Sequence, residues 1–222
     1  MNPANVAPIR FADRVEAGEF LAGELTAFAG DSNVVVLGLL RGGVPVAAEI
    51  ARILGVEVDA LAVRPLVMPE RSDVSYAALA SYGETTSLKY IQRMWDPARE
   101  RFTPEVLAAV EATAREELAD LQHRVIGDVV LPVRDRTVIL VDDGMASAAT
   151  MLAAVDVVRA AGAARVVAVA PVAQKQARQD IIEEADEFIC AISPKVFNTV
   201  SAFYSRFDAV SDEEIIALIP HL

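Results

Sequence analysis

The chain has 222 residues, 54% of them hydrophobic, and a formal net charge of −12 from 20 basic and 32 acidic side chains. That acidic excess argues against nonspecific attraction to nucleic acid, and no apolar run reaches the length of a membrane-spanning helix. With no stretch rich enough in Gly, Ser or Pro to read as a linker, one globular domain over 1–222 is expected.

The start, Met1-Asn-Pro-Ala-Asn-Val6, lacks the basic segment and apolar core of an export signal. A lone cysteine, Cys190, cannot close an internal disulfide, so a cytoplasmic protein is expected. In chain order helices and strands alternate, the pattern of an α/β fold with a mainly parallel sheet flanked by helices. Residues about 11–28 read as an amphipathic helix, 34–39 as a strand, 44–54 as a helix and 58–63 as a strand. The stretch about 64–101, with prolines at 65, 69 and 97, reads as irregular apart from a strand-like segment about Tyr76–Tyr82; loops that long inside a compact domain are functional or disordered. Thr103 and Pro104 then open a charged helix to about Arg124, Thr103 as N-cap and Pro104 at the first helical position. A strand at 137–142, a helix at 148–161, a strand at 165–172, a helix at 175–184 and a last strand at 189–192 follow. The acidic runs 105–120, 183–187 and 212–214 read as solvated faces. Cys190 reads as a packed strand thiol, and His123 and His221 as surface residues. No cluster of His, Cys and carboxylates suggests a dedicated metal site.

Two strand-to-helix turns carry the chemistry. In Thr137-Val-Ile-Leu-Val-Asp142-Asp143-Gly144-Met145-Ala146-Ser147-Ala148-Ala149-Thr150, Asp142 and Asp143 fall at the carboxyl end of a strand, where ligands of open α/β sheets sit. They suit vicinal hydroxyls or a cation. Ser147 is expected to N-cap a helix starting near Ala148. The first turn of that helix holds no acid although the helix dipole favours one there, which leaves its amides and the Ser147 and Thr150 hydroxyls to an anion. Together these groups match a ribose 5-phosphate; the plain alternative is a capped helix and solvated aspartates. In Leu39-Leu40-Arg41-Gly42-Gly43-Val44-Pro45 two glycines permit close backbone approach to an anion and φ values closed to other residues. Arg41 adds a permanent cation with a fork of donors. Here the plain alternative is an ordinary turn with an exposed arginine. The Gly-Lys-Ser/Thr ending of a nucleoside triphosphate loop is missing.

The first of these segments resembles the phosphoribosyl pyrophosphate signature of the type I phosphoribosyltransferases. The resemblance extends over nearly the whole chain to a bacterial subgroup of phosphoribosyltransferase-like proteins, through the helix at Phe11-Ala-Asp-Arg-Val-Glu-Ala-Gly18, the turn Arg41-Gly42-Gly43-Val44-Pro45 and the segment Val210-Ser211-Asp212-Glu213-Glu214. It implies a type I phosphoribosyltransferase fold with a flap within about 64–101 and a small hood from the chain ends, about 193–210. A homodimer is expected. The implied reaction transfers the 5-phosphoribosyl group from phosphoribosyl pyrophosphate to a nitrogenous base, releasing pyrophosphate, with Mg2+ arriving on the pyrophosphate substrate. The resemblance also implies site residues: Asp142 and Asp143 at the ribose hydroxyls, Gly144, Met145, Ala146, Ser147, Ala148, Ala149 and Thr150 around the 5-phosphate, and Arg41, Gly42 and Gly43 at the pyrophosphate, with Asp142, Asp143 and Arg41 catalytic. Asn198, Tyr204 and Arg206 stand in the hood, either to contact a ring or to pack.

Ala146 occupies the position where 6-oxopurine enzymes of the family carry an acid, which argues against hypoxanthine or guanine as acceptor. Ala148 replaces a glycine of the pattern, Leu40 a proline and Pro65 a lysine. These departures keep a second reading open, a catalytically impaired protein of this fold that binds a phosphorylated ligand in a regulatory role. If position 148 needs a positive φ, alanine costs on the order of 1 kcal/mol; at a negative φ the methyl is tolerated. Ala148→Gly is expected to tighten binding of phosphoribosyl pyrophosphate. A response-regulator receiver domain also begins with paired acids, but too little sheet remains after Asp143 for its later strand-end residues.

Overall fold

The protein is described by a computed structural model over residues 10–127 and 129–219. Strands β1 (Val34–Leu39), β2 (Glu57–Met68), β3 (Arg71–Tyr82), β4 (Thr85–Tyr90), β5 (Thr137–Val141), β6 (Arg165–Val172) and β7 (Glu187–Ile192) form one sheet in the order β4-β3-β2-β1-β5-β6-β7. From β2 to β7 neighbouring strands are parallel, while β3 and β4 join antiparallel at the β2 edge. The fold is the mainly parallel α/β sheet flanked by helices that the alternating pattern implies.

The parallel half follows directly from its aliphatic runs. Every residue of β1 and four of five in β5 are buried, as in a sheet covered on both faces. Alternation then sorts the side chains. Val35, Leu37, Leu39, Val138 and Leu140 enter one core with α5 (Ala149–Ala160) and α6 (Lys175–Ile182). Val34, Val36, Ile139 and Val141 enter the other, with α1 (Arg14–Glu24), α2 (Gly43–Leu54), α4 (Pro104–Leu121) and α7 (Asp212–Leu218).

The stretch 64–101 is not irregular. It holds the end of β2, the hairpin β3–β4 and a helix, α3 (Gln92–Arg101). Pro65 misleads because it sits where β2 has run past β1: the last β1 residue, Leu39, pairs with Leu61, so Pro65 has a sheet neighbour only on the β3 side, at Ala78. A proline is tolerated at such an edge-like position. The first helix is also shorter than the amphipathic pattern suggests. It starts at Arg14, behind Asp13, whose carboxylate accepts from the Val15 and Glu16 amides at 3.1 Å, and a 3-10 turn at Thr26–Phe28 follows separately. Phe11, ahead of it, bridges to Tyr204. The charged helix ends at Leu121 and passes into a π-helical turn, Gln122–Ile126.

Buried Asp59 went unremarked in the sequence. It accepts from the Tyr82 hydroxyl at 2.9 Å and from the Leu131 and Ala60 amides at 2.9 and 2.7 Å, which satisfies a buried carboxylate and ties β2 to β3 and to the segment before β5. Cys190 lies half-buried in β7, its Sγ donating to the Ile192 carbonyl at 3.2 Å, and burial pushes its pKa up. His123 is exposed; His221 and Met1–Val6 lie outside the described residues. Among the described residues no helix is long and apolar enough to cross a membrane.

Candidate functional site

After β1 the chain moves to β2 on one side, and later β5 is laid down on the other side of β1. Strand order therefore reverses between β1 and β5, the place where open α/β sheets form a ligand crevice beyond the strand ends. Both chemistry-bearing turns open there. They touch: a Cβ added to Gly42 would fall 1.9 Å from Asp143 Oδ2, and one on Gly43 2.2 Å from the Val141 carbonyl oxygen. Gly42 has an ordinary φ of −65°, so in this turn glycine serves close packing rather than an unusual dihedral. That corrects half of the reason expected for it.

The two aspartates live differently. Asp143 Oδ2 accepts from both Nε and Nη2 of Arg14, each at 2.8 Å, and its carbonyl accepts from the Tyr204 hydroxyl at 2.7 Å. Arg14 also donates to the Asp208 carbonyl at 2.8 Å and lies 4.0 Å over the Phe207 ring, a cation–π contact. Among the described residues Asp142 forms no ion pair; its Oδ1 accepts from the Asp143 amide at 2.9 Å. Burial, and then the neighbouring Asp143 charge, push Asp142 well above the usual carboxylate range. Burial raises Asp143 too, opposed by Arg14. The pair thus tends to hold a proton that exposed acids would have lost, most readily on Asp142.

On the β1 side, Arg41 follows the cis Leu40–Arg41 peptide and pairs with Asp212, whose other oxygen receives Arg124. Asp212 is therefore not simply part of a solvated acidic face. Its pKa is lowered, first by the Arg41 hydrogen bond. On the β5 side, α5 begins at Ala149, with Ala148 in the N-cap position at φ −82° and no side-chain cap. Ser147 is not the N-cap; its Oγ accepts from the Ala149 amide only at a long 3.4 Å. The first turn of α5 carries no acid. Met145, Ala148 and Ala149 are buried, whereas Ser147 and Thr150 stay partly exposed and Ala146 is exposed. Gly144 packs on the hood, where an added Cβ would lie 2.5 Å from Val200.

A sequence model of the phosphoribosyl transferase domain matches residues 12–206, the whole span of both turns and most of the hood. The chain belongs to the phosphoribosyl transferase family. It is 36% identical over 213 residues to proteins from two strains of Mycobacterium tuberculosis, each carrying a provisional phosphoribosyl transferase name. The match covers 94% of this chain and 46% of theirs, so the chain spans less than half the length of those relatives. Among solved structures it is similar to TT1426 from Thermus thermophilus, at 36% identity and a TM-score of 0.74, covering 96% of this chain and 98% of that one.

In this phosphoribosyl transferase domain the fold brings Arg41, Gly42, Gly43, Asp142 and Asp143 to one crevice and starts α5 beside them. The three hood residues fare otherwise. Tyr204 is buried in the contact with Asp143, Arg206 pairs with Asp13, and Asn198 is exposed. Sequence reasoning missed Arg14, which lies 129 residues from its partner. One signal pointed to it: a cation in the first turn of a helix opposes the helix dipole, so Arg14 needs an acid from elsewhere.

Proposed function

We propose that the protein is a phosphoribosyltransferase that moves the 5-phosphoribosyl group of phosphoribosyl pyrophosphate, bound as its magnesium complex, onto a nitrogenous base. The observation that carries this reading is the direct contact between the two turns at the strand-order reversal, which sets one cation, two carboxylates and an acid-free helix start around a single crevice. Family membership supports the class of reaction.

In this reading the first turn of α5, with the Ser147 and Thr150 hydroxyls, takes the 5-phosphate. Asp142 holds the ribose hydroxyls and, once ionised, lies next to the positive charge that develops at C1 as the C1–O bond to the departing pyrophosphate breaks. Asp143, already held by Arg14, positions the Asp142 side chain through its backbone amide. Arg41 leaves Asp212 to meet the diphosphate. Magnesium would arrive on the oxygens of the pyrophosphate substrate. Most of the acceleration then comes from positioning.

The test is calorimetric titration with magnesium and phosphoribosyl pyrophosphate, followed by a base panel read by pyrophosphate release. Binding together with base-dependent pyrophosphate release supports the enzyme. Binding without release from any base supports the regulatory reading, and no binding refutes the enzyme.

A further inference from the structure

Arg41 is not the only arginine held by Asp212. Arg124 belongs to the π-helical turn that follows α4, and α7 packs both on that turn and on α2, which starts at Gly43. The three segments meet at one carboxylate. Asp212 Oδ1 accepts from Arg41 Nη1, and Asp212 Oδ2 accepts from Arg124 Nη1. Two guanidinium groups from distant parts of the chain therefore face one small anionic spot.

The plain alternative is a fastening, with Asp212 tying α7 to its neighbours through exposed ion pairs. Two details mark the cluster as more than that. Arg124 keeps its aim without Asp212, because its Nε donates to Asp120 Oδ2 at 2.8 Å, one turn back at the end of α4. Asp120 thus orients the guanidinium and leaves Nη1 to face whatever lies between the two arginines. The cluster is also open to water, with 29% of the Arg41 side chain, 45% of Arg124 and 23% of Asp212 exposed, so a dissolved anion can reach it and replace a partly exposed carboxylate at small cost. Among the described residues Asp212 is the one ion-pair partner of Arg41. With Asp212 withdrawn, the spot presents two cations against one fixed carboxylate. A phosphoryl group carries more charge and more acceptor oxygens than a carboxylate and suits two guanidinium forks better.

We propose that Arg124 is a second diphosphate-binding residue, set opposite Arg41, and that the Asp212 carboxylate is a placeholder which the diphosphate displaces from between them. The inference rests on the proposed reaction for the identity of the anion; the convergence of the two arginines does not. In the empty protein Asp212 neutralises the pair. On its return after the reaction, the same carboxylate competes with the product pyrophosphate for both arginines.

The test is calorimetric titration with two probes, magnesium pyrophosphate, which needs the arginine pair, and ribose 5-phosphate, which fills the rest of the crevice and carries no diphosphate. Arg124→Gln is expected to weaken magnesium pyrophosphate about tenfold, the low end of what a hydrogen bond between charged groups is worth, and to leave ribose 5-phosphate affinity and the thermal midpoint nearly unchanged. Arg124→Lys keeps the charge and is expected to recover part of the loss. Asp212→Asn is expected to tighten magnesium pyrophosphate by up to about fivefold, the worth of an exposed ion pair, and that gain is expected to shrink when Arg124→Gln is added. Unchanged pyrophosphate affinity in Arg124→Gln overturns the inference and leaves the proposed reaction standing. Equal losses for both probes overturn it too, since they would make Arg124 a structural residue. Wild-type protein that binds ribose 5-phosphate but not magnesium pyrophosphate also overturns it, and protein that binds neither overturns the proposed reaction together with this inference.

Discussion

The turn after β1 and the turn after β5 meet at the same crevice, yet their key charges are restrained in opposite ways. Asp143 is gripped by Arg14, itself covered by the Phe207 ring, and by Tyr204, with about 14% of its side chain exposed. Arg41 is held by Asp212 at the rim, both partly open to water. A buried pair loses much when one partner goes, because the other charge is stranded, whereas an exposed pair exchanges readily with solvent or ligand. The hood contact is therefore a fixed part of the architecture, and the Arg41 contact is the one a diphosphate can displace.

The sharpest way to break this comparison is Asp143→Ala. It strands Arg14 under the hood and is expected to destabilise the protein by about 3–5 kcal/mol, seen as a large drop in urea midpoint. A loss within that of an ordinary surface substitution would show that the hood does not depend on the pair.

Asp142→Asn is expected to keep the fold and to remove magnesium-dependent binding of phosphoribosyl pyrophosphate, checked by calorimetry. It also tests the electrostatics. Because the pKa of Asp142 is raised in the folded state, the native protein binds more protons than the unfolded chain from the ordinary carboxylate range upward. Stability should therefore fall as pH rises through that window and be fullest below it. In Asp142→Asn the slope should flatten. Thermal midpoints across pH for the two proteins decide it, and equal slopes would remove Asp142 as the source.

Ala148→Gly tests the β5 turn at smaller scale. Ala148 has a negative φ and is fully buried, so the condition under which glycine would tighten binding is not met. The variant is expected to lose on the order of 1 kcal/mol because a fully buried methyl is removed, with substrate affinity unchanged; a clear gain in affinity would mean that the methyl crowds the phosphate. The smallest effect is expected from Asp212→Asn, which frees Arg41 and should modestly raise affinity for magnesium pyrophosphate, most visibly at low salt. Reduced affinity there would assign Arg41 to the surface latch alone.

Much of this was legible from local pattern. Aliphatic runs ending in Arg41-Gly42-Gly43 and Asp142-Asp143 located β1, β5 and the turns after them, because a strand covered on both faces leaves a continuous apolar signature. The hairpin after β2 was hidden because its residues alternate only loosely and three prolines fall in or near it; their tolerance depends on which neighbours each strand has, which is a property of the assembled sheet. The Arg14–Asp143 pair and the Arg41–Asp212–Arg124 group were hidden for the same kind of reason. Charge pairs joined across more than eighty residues leave no spacing to read. Ser147 failed as a cap for a smaller reason, since α5 starts one residue later than the hydroxyl suggests.

The contact of Gly42 with Asp143 also bears on how such a site changes over evolutionary time. The space that the absent Gly42 side chain would fill is occupied by the Asp143 carboxylate, so the two positions share one volume. A side chain can enter at 42 only after 143 has shrunk or turned away, and a shortened 143 strands Arg14 unless that residue changes as well. Drift at any one of the three is therefore conditional on the others. The crevice is inherited as a linked set spread over three distant parts of the sequence, and the order in which its members are replaced decides whether the intermediates fold.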